Sequence, residues 1–569
     1  MITAEMQRIL LLVALAATAY LLVLAWNDDY IKGRAAPGAS SGPVVTAPVG
    51  DAPDTFTEAR QIATDVPKAA TTPDPHDNAE PGRTPTSDVG DRLVKVTTDT
   101  MEVWIDRLGG DIVRVQLPRY PVSIEKPDDP FLLLDRRADH VYIAQSGLVG
   151  RDGPDGKGPR PVYEVDHNEF DFRGGGELRL KTTTNGVEID KIFKFAPDEY
   201  VVEVGYEIAN QSDHSFEARQ FAQLKRDSRD LSGSSSYTLG PRPYLGAALT
   251  TNDERYYKLK FSELDDAPYE HEVNGGWIAI LQHYFIGAWV SNPGEHNNYY
   301  GHKREDGDYI VGFTGPVETV APGATGRLSS RFYAGPKDQD RLEAIAPNLN
   351  LTVDYGFLWW LAVPLFQLLK WLHGAVGNWG VAIILLTLIV KLVLYPLSAA
   401  SYRSMANMRR VGPQMKRLQE RYSDDRQKLS QEMMAFYKKE KINPLGGCLP
   451  MLLQMPVFIA LYWVLFESVE LRQAPFFLWI RDLAVMDPYF VLPILMGGSM
   501  FLTQALNPPV PDPVQARVMK FMPIMFTVMF LFFPAGLVLY WLVNNLLSLA
   551  QQWFITRQIE GGASNAAKS

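Results

Sequence analysis

Residues 380–397 read Gly-Val-Ala-Ile-Ile-Leu-Leu-Thr-Leu-Ile-Val-Lys-Leu-Val-Leu-Tyr-Pro-Leu. A helix that crosses a bilayer needs about 20 predominantly apolar residues, and this run approaches that length. Its single charge is Lys391, six residues before Leu397. A charge near the bilayer centre costs about 2.5–3.5 kcal/mol on insertion scales. Two readings of Lys391 stand side by side. It snorkels to the nearby interface, or it is a cation facing a watery cavity between helices. Thr387, one turn earlier, shares its helix face.

Residues 9–26 form an apolar run preceded by Arg8. It exceeds the 7–15 residues of a typical signal core, which favours an uncleaved anchor. The small residues at 14–17 leave cleavage open. Further runs occupy 448–466, 489–506 and 536–554, and a shorter one occupies 521–533. Arg517 and Lys520 beside the short run can snorkel to headgroups and let it fit. That makes six spans. Residues 353–373 mix Trp359, Trp360 and Trp371 with Gln367, Lys370 and Pro364, which predicts a helix lying along the surface.

Charge orients the spans. Residues 351–569 carry 19 Lys/Arg and 12 Asp/Glu, whereas residues 1–350 carry 36 and 53. That asymmetry excludes a uniformly soluble globule. Residues 398–444 hold 11 Lys/Arg against 5 Asp/Glu. The positive-inside rule makes them cytoplasmic and puts the acidic part on the other side.

Residues 27–90 contain nine Pro and ten Ala, and Tyr30 and Phe56 are the only aromatics. Such a stretch cannot bury a core and reads as a disordered tether. Beyond it, Met101, Val103 and Ile105 alternate, as do Val187, Ile189, Phe193 and Phe195, then Val202, Val204, Tyr206 and Ile208. Asn185-Gly186 signals a hairpin between two such strands. Many short strands over about 250 residues predict a large sandwich.

The expected fold class is a multi-domain membrane protein, with an all-α polytopic core of six transmembrane helices in total and an extracytoplasmic all-β sandwich. Its expected parts are an anchor over 1–26, a linker over 27–90, the sandwich over 91–350 and an interfacial helix over 351–375. A second span over 376–397 leads to a cytoplasmic α-hairpin over 398–444. The third span (445–467), an outside loop (468–488), the fourth span (489–507) and a cytoplasmic loop (508–520) follow. The fifth and sixth spans cover 521–534 and 535–556, and a short cytoplasmic tail covers 557–569.

Neither catalysis nor a cofactor is expected. Cys448 is the only cysteine, so an internal disulfide and a Cys-based metal site are excluded. The nine His lack metal-ligand spacing, and Gly174–Gly176 does not sit between a strand and a helix as a phosphate loop would. Gln454, Gln504, Tyr540 and Asn544 fall at membrane depth; each alone is interhelical glue, and together with Lys391 they can line one groove. In the cytoplasmic segment Met405, Met408, Met415 and Leu418 recur at helical spacing, as do Leu429, Met433 and Phe436. Ser423 is placed to cap the second helix, with Asp424 and Asp425 in its first turn. This predicts an α-hairpin with a Met-rich seam, which is ordinary packing or an adaptable apolar surface. Its basic exterior suits phospholipid or ribosomal RNA.

The stretch Asn443-Pro-Leu-Gly-Gly-Cys-Leu-Pro450, followed by Gln454-Met-Pro456, resembles the signature of the YidC membrane protein insertase family. Ser430-Gln-Glu-Met-Met434, Val469-Glu-Leu-Arg-Gln-Ala-Pro475 and Gly536-Leu-Val-Leu-Tyr540 fit as well. The resemblance covers essentially the whole chain, and the β domain marks the Gram-negative form. It implies five core spans around a hydrophilic groove open to cytoplasm and lipid but closed outward. The family's groove Arg is matched here by Lys391, which keeps the charge and loses the planar fork of donors. By the same matching Thr387, Gln454, Tyr540 and Trp541 line the groove, joined by Asn544 from the reading above. The third and fifth spans would form the greasy exit for the substrate.

The implied function is insertion and folding of integral proteins of the bacterial inner membrane, alone or with the Sec translocon. Implied partners are nascent membrane proteins, the bilayer, and the Sec translocon with its accessory subunits. The ribosome and the signal recognition particle receptor would meet the hairpin at Arg409, Arg410, Lys416, Arg417 and Arg421. DNA is not an expected partner. The tail after Phe554 holds only Arg557 and Lys568 against Glu560, so the hairpin is the better ribosome contact. The competing readings are a small-solute transporter using Lys391 as its binding charge and a membrane-tethered enzyme. The first favours internal repeats with broken helices, the second a clustered nucleophile or metal site.

Overall fold

The computed structural model describes residues 65–67, 92–156, 158–229, 243–422, 425–440, 449–506 and 513–566. The expected anchor and most of the expected linker lie outside the described residues, as does the 443–448 part of the signature. The chain divides into two compact units, which meet in sequence at Val353 and Asp354.

The first unit holds a ten-stranded and an eight-stranded sheet. The period-two pattern builds it: Val103, Ile105, Val187, Ile189, Val204 and Ile208 are all buried. Leu148, Phe216 and Val320 of one sheet pack against Ile189, Tyr206 and Ile208 of the other, which makes the sandwich core. Strands Gly176–Thr184 and Val187–Phe195 join through Asn185 (φ 47°) and Gly186 (φ 78°). Two positive φ values in sequence are what a tight primed hairpin turn requires. Among the described residues, two short helices complete this unit, α1 (Phe261–Asp266) and α2 (Gln339–Ile345). Asp338 caps α2 by accepting from the Asp340 and Arg341 amides.

A buried lysine breaks the apolar rule inside the sandwich. Lys191 lies in register between Ile189 and Phe193 and is fully buried. Its ammonium crosses to the other sheet side and donates to the carbonyls of Gly109 at 2.9 Å and Ser146 at 2.8 Å. Beside it Arg160 pairs with Asp111 at 2.6 Å and Asp155 at 2.7 Å. Burial pushes the Lys191 pKa down to about 7, against an opposing pull from Asp111.

The second unit is helical: α3 (Trp359–Val376), α4 (Trp379–Val393), α5 (Tyr395–Arg421), α6 (Arg426–Lys439), α7 (Leu449–Glu467), α8 (Val491–Leu506), α9 (Pro513–Phe530) and α10 (Ala535–Ala566). The apolar run over 380–397 is not one straight rod. It breaks at Leu394, and α4 and α5 meet at 68°. Pro396 explains the break, because it has no amide to donate to the preceding turn and restricts Tyr395. Among the described residues no single helix is long and apolar enough to cross a membrane; α4 and α5 pass that test together as a bent pair.

The α5–α6 pair forms the expected hairpin. Val411 and Met415 are buried in its seam with Met408, Met433, Phe436 and Tyr437 around them. Met405 belongs elsewhere: it packs with Ala399, Tyr402 and Ile555, joining α5 to α10. The α6 cap is Asp425, whose carboxylate accepts from the Lys428 amide, in place of the expected Ser423. Ser423 and Asp424 lie outside the described residues.

Candidate functional site: a buried polar cluster between helices

Helix α10 packs against α4, α5, α7 and α8. Tyr540, Asn544 and Ser548 recur along it every four residues, so their side chains share one face. Lys391 enters from the last turn of α4, and Gln454 enters from α7.

These side chains form a connected set. Lys391 Nζ donates to Ser548 Oγ at 2.7 Å and to Gln454 Oε1 at 3.2 Å. The Gln454 amide nitrogen donates to Tyr540 OH at 3.3 Å and to Asn544 Oδ1. Ser548 donates to the Asn544 carbonyl at 2.7 Å. Lys391 is 4% exposed, Asn544 5% and Tyr540 0%. The lysine is enclosed, which disfavours simple snorkelling. Among the described residues its partners are neutral acceptors, and it forms no ion pair. A buried cation held this way keeps its field, because dipoles solvate it without cancelling its charge.

Four of the six expected groove residues therefore meet: Lys391, Gln454, Tyr540 and Asn544. Thr387 does not join them. It is fully buried and donates to the Ile383 carbonyl of its own helix at 2.7 Å. Trp541 turns to an aromatic group instead. Its ring lies 4.7 Å from Phe458, 5.6 Å from Phe530 and 6.5 Å from Phe526, which places aromatic side chains of α7, α9 and α10 together. Ser548 went unread in the sequence, although the four-residue step from Tyr540 through Asn544 leads straight to it. A second polar contact was also missed: Asn545 donates to Ser499 of α8 at 3.2 Å.

The outer faces of these helices are apolar. Leu392 and Val393 on α4, Ile494 and Leu502 on α8, Phe521 and Met525 on α9, and Phe554 on α10 are all exposed. On α3, Trp359, Trp360 and Trp371 are exposed while Ala362, Phe366 and Leu369 are buried. Among the hairpin residues, Arg410, Arg417 and Arg421 are exposed. The side chains of Arg409 and Lys416 lie outside the described residues.

Known proteins match both units. Residues 371–562 match the 60Kd inner membrane protein family, and residues 93–368 match the YidC periplasmic domain. The membrane protein insertase YidC of Stutzerimonas stutzeri (strain A1501) is 52% identical over 568 residues, covering 99% of this chain and all of that one. Its counterpart in Azotobacter vinelandii is 51% identical over 570 residues with the same coverage. A crystal structure of an active YidC insertase with its first transmembrane domain resolved covers 83% of this chain and 94% of its own, at 19% identity and a TM-score of 0.37. A galactose mutarotase related enzyme from Lactobacillus acidophilus covers 42% of this chain and 97% of its own, at 11% identity and a TM-score of 0.31. Both scores are too low to place residues of one chain on the other. Full-length identity of about half, together with a family match over each unit, is decisive: the chain belongs to the YidC family of membrane protein insertases.

Proposed function

We propose that this chain inserts integral proteins into the bacterial inner membrane, and that the polar cluster around Lys391 is where the substrate's outside segment is received. The observation that carries the site is the pairing of Lys391 with Gln454 and Ser548 in place of a carboxylate. A buried cation with an uncancelled field attracts a short acidic segment and lowers its barrier to crossing. The substrate's apolar helix then gains about 0.3–0.6 kcal/mol for each Leu, Ile, Phe or Val that enters lipid. The aromatic group of Phe458, Phe526, Phe530 and Trp541 lies beside the cluster and would line that exit. Covalent chemistry and a cofactor are not needed.

The same reading assigns six spans, with the sandwich periplasmic and the α5–α6 hairpin cytoplasmic. The α3 helix would lie in the interface, its exposed tryptophans at headgroup level. The hairpin's exposed arginines would be the surface for the ribosome or the signal recognition particle receptor, and the Sec translocon would share some substrates.

The test is depletion of this chain followed by complementation. Lys391→Arg should restore insertion, Lys391→Ala should impair substrates with acidic outside segments most, and Lys391→Glu should be worst. Protein levels must be matched first, because removing the charge relieves an embedding cost. Equal, wild-type insertion of acidic and neutral substrates by the Ala and Glu variants would remove Lys391 from the mechanism.

A further inference from the structure

Of the expected linker over 27–90, residues 65–67 are described, and Asp65 among them contacts the sandwich. Asp65 is 3% exposed, although the first strand starts only at Leu93. Residues 65–67 are a turn and a bend rather than a strand, so side chains and not a ladder hold them.

The contact reads both halves of the aspartyl residue. Lys225, on strand Phe216–Arg226, donates to the two carboxylate oxygens at 3.1 and 3.3 Å. Arg304 pairs with the same carboxylate. The Gln223 side-chain amide donates to the Asp65 backbone carbonyl at 2.9 Å. Behind it the frame is buried and bonded to itself. Gln223 also donates to Gln145 at 2.9 Å and accepts from Tyr300 OH at 2.7 Å, and Gln145 donates to Asp111 at 2.9 Å. A group fixed from three sides keeps its orientation whether or not its outermost acceptor is present.

The two cations have other carboxylates in reach. Lys225 lies 3.4 Å from Asp308 and 3.8 Å from Asp306, and Arg304 lies 3.1 Å from Asp306. Departure of Asp65 therefore strands no buried charge. That separates this site from a structural ion pair, where losing one partner leaves an uncompensated charge.

We propose that the sandwich carries a peptide site selecting an aspartyl residue by its carboxylate and its own carbonyl, with Asp65 of the same chain as resident, exchangeable ligand. A tethered ligand acts at an effective concentration of about millimolar. An aspartyl peptide from another protein binds there by displacing Asp65, so weak competitors are excluded.

The test uses the full chain in detergent and a fluorescent peptide with the sequence of residues 60–70, followed by anisotropy. Asp65→Ala and the isosteric Asp65→Asn both vacate the site. The peptide should bind either variant on the order of tenfold or more tighter than it binds wild type. A peptide with Asn in place of its Asp should fail on all three chains. In parallel, trypsin should cut after Lys68 faster in both variants than in wild type, since cleavage tracks the released population. A peptide that binds no chain, binds all alike, or binds equally well in its Asn form overturns the proposal. Unchanged cleavage after Lys68 does the same.

Discussion

Lys391 Nζ sits 2.7 Å from Ser548 Oγ, so the helix that begins at Ala535 supplies the nearest acceptor to the buried cation of α4. Ser548 in turn donates to the Asn544 carbonyl one turn earlier, which fixes its lone pairs toward the lysine. Hydrogen bonds to charged groups contribute about 1.5–3 kcal/mol. Ser548→Ala should therefore lower the melting temperature of the purified protein and slow insertion of acidic-segment substrates, and Ser548→Thr should restore both. If Ser548→Ala leaves both measurements at wild-type values, Gln454 alone holds the charge.

The approach of α8 to α9 rests on a glycine. A Cβ at Gly497 would collide with the Thr527 side chain, whose hydroxyl is already committed to the Pro523 carbonyl at 2.7 Å. Small residues of this kind let membrane helices come close. Gly497→Val should destabilise the helical unit by about 1–3 kcal/mol through overpacking. Gly498, with nothing within 4 Å of its Cβ position, should accept Ala. Thermal unfolding in one detergent compares them, and equal stability would show that α8 and α9 are not packed this way.

Much of this was legible from spacing. The alternation at Val187, Ile189, Phe193 and Phe195 locates a strand because period two admits no other element. The four-residue step in α10 places Tyr540 and Asn544 on one face. Ser548 was passed over because a serine in an apolar helix carries no charge to draw notice. Lys191 was passed over because a single inward lysine cannot reveal from sequence which carbonyls of the opposite sheet will meet it. The bend at Leu394 was hidden by hydropathy, which counts apolar residues without asking whether Pro396 lets them stay in one helix. Asp65 was concealed by composition: a Pro/Ala-rich stretch reads as tether even when one residue in it is bound.

The Lys191 ammonium gives the sandwich a pH dependence. Its folded pKa, about 7, lies below the ordinary lysine value of 10.5. Between those values the unfolded chain binds a proton that the folded chain does not. Stability must therefore rise with pH from about 7 to about 10, by at most roughly 1.4 kcal/mol per pH unit from this group. Lys191→Met should flatten that slope and stabilise the domain near neutral pH. The orphaned carbonyls are covered, because Arg160 also donates to Gly109 at 3.1 Å and Ser146 at 2.8 Å. Hydrogen exchange of strand Val187–Phe195 amides at several pH values reads the effect. An unchanged slope in Lys191→Met would mean that Lys191 stays charged when folded.

Residues 398–444 carry 11 Lys/Arg against 5 Asp/Glu, and the exposed Arg410, Arg417 and Arg421 lie on α5 within that segment. Moving such a segment across a negative-inside membrane is opposed by about 2.3 kcal/mol per charge per 100 mV, so the hairpin should remain cytoplasmic. The one span expected between it and the sandwich, over 376–397, would then put the sandwich on the opposite side. Single cysteines at Asp425, the α6 cap, and at Glu125, both exposed, report the two sides in a Cys448→Ser background. In intact spheroplasts an impermeant thiol reagent should label Glu125→Cys at once and Asp425→Cys only after lysis. Glu125 is an exposed charge of little weight in folding, and losing the Asp425 cap costs about 1 kcal/mol, too little to unfold the unit, so label access reads location. Labelling of Asp425→Cys in intact cells, with Glu125→Cys protected, would reverse the orientation and with it the assignment of Lys391 to a groove reached from the cytoplasm.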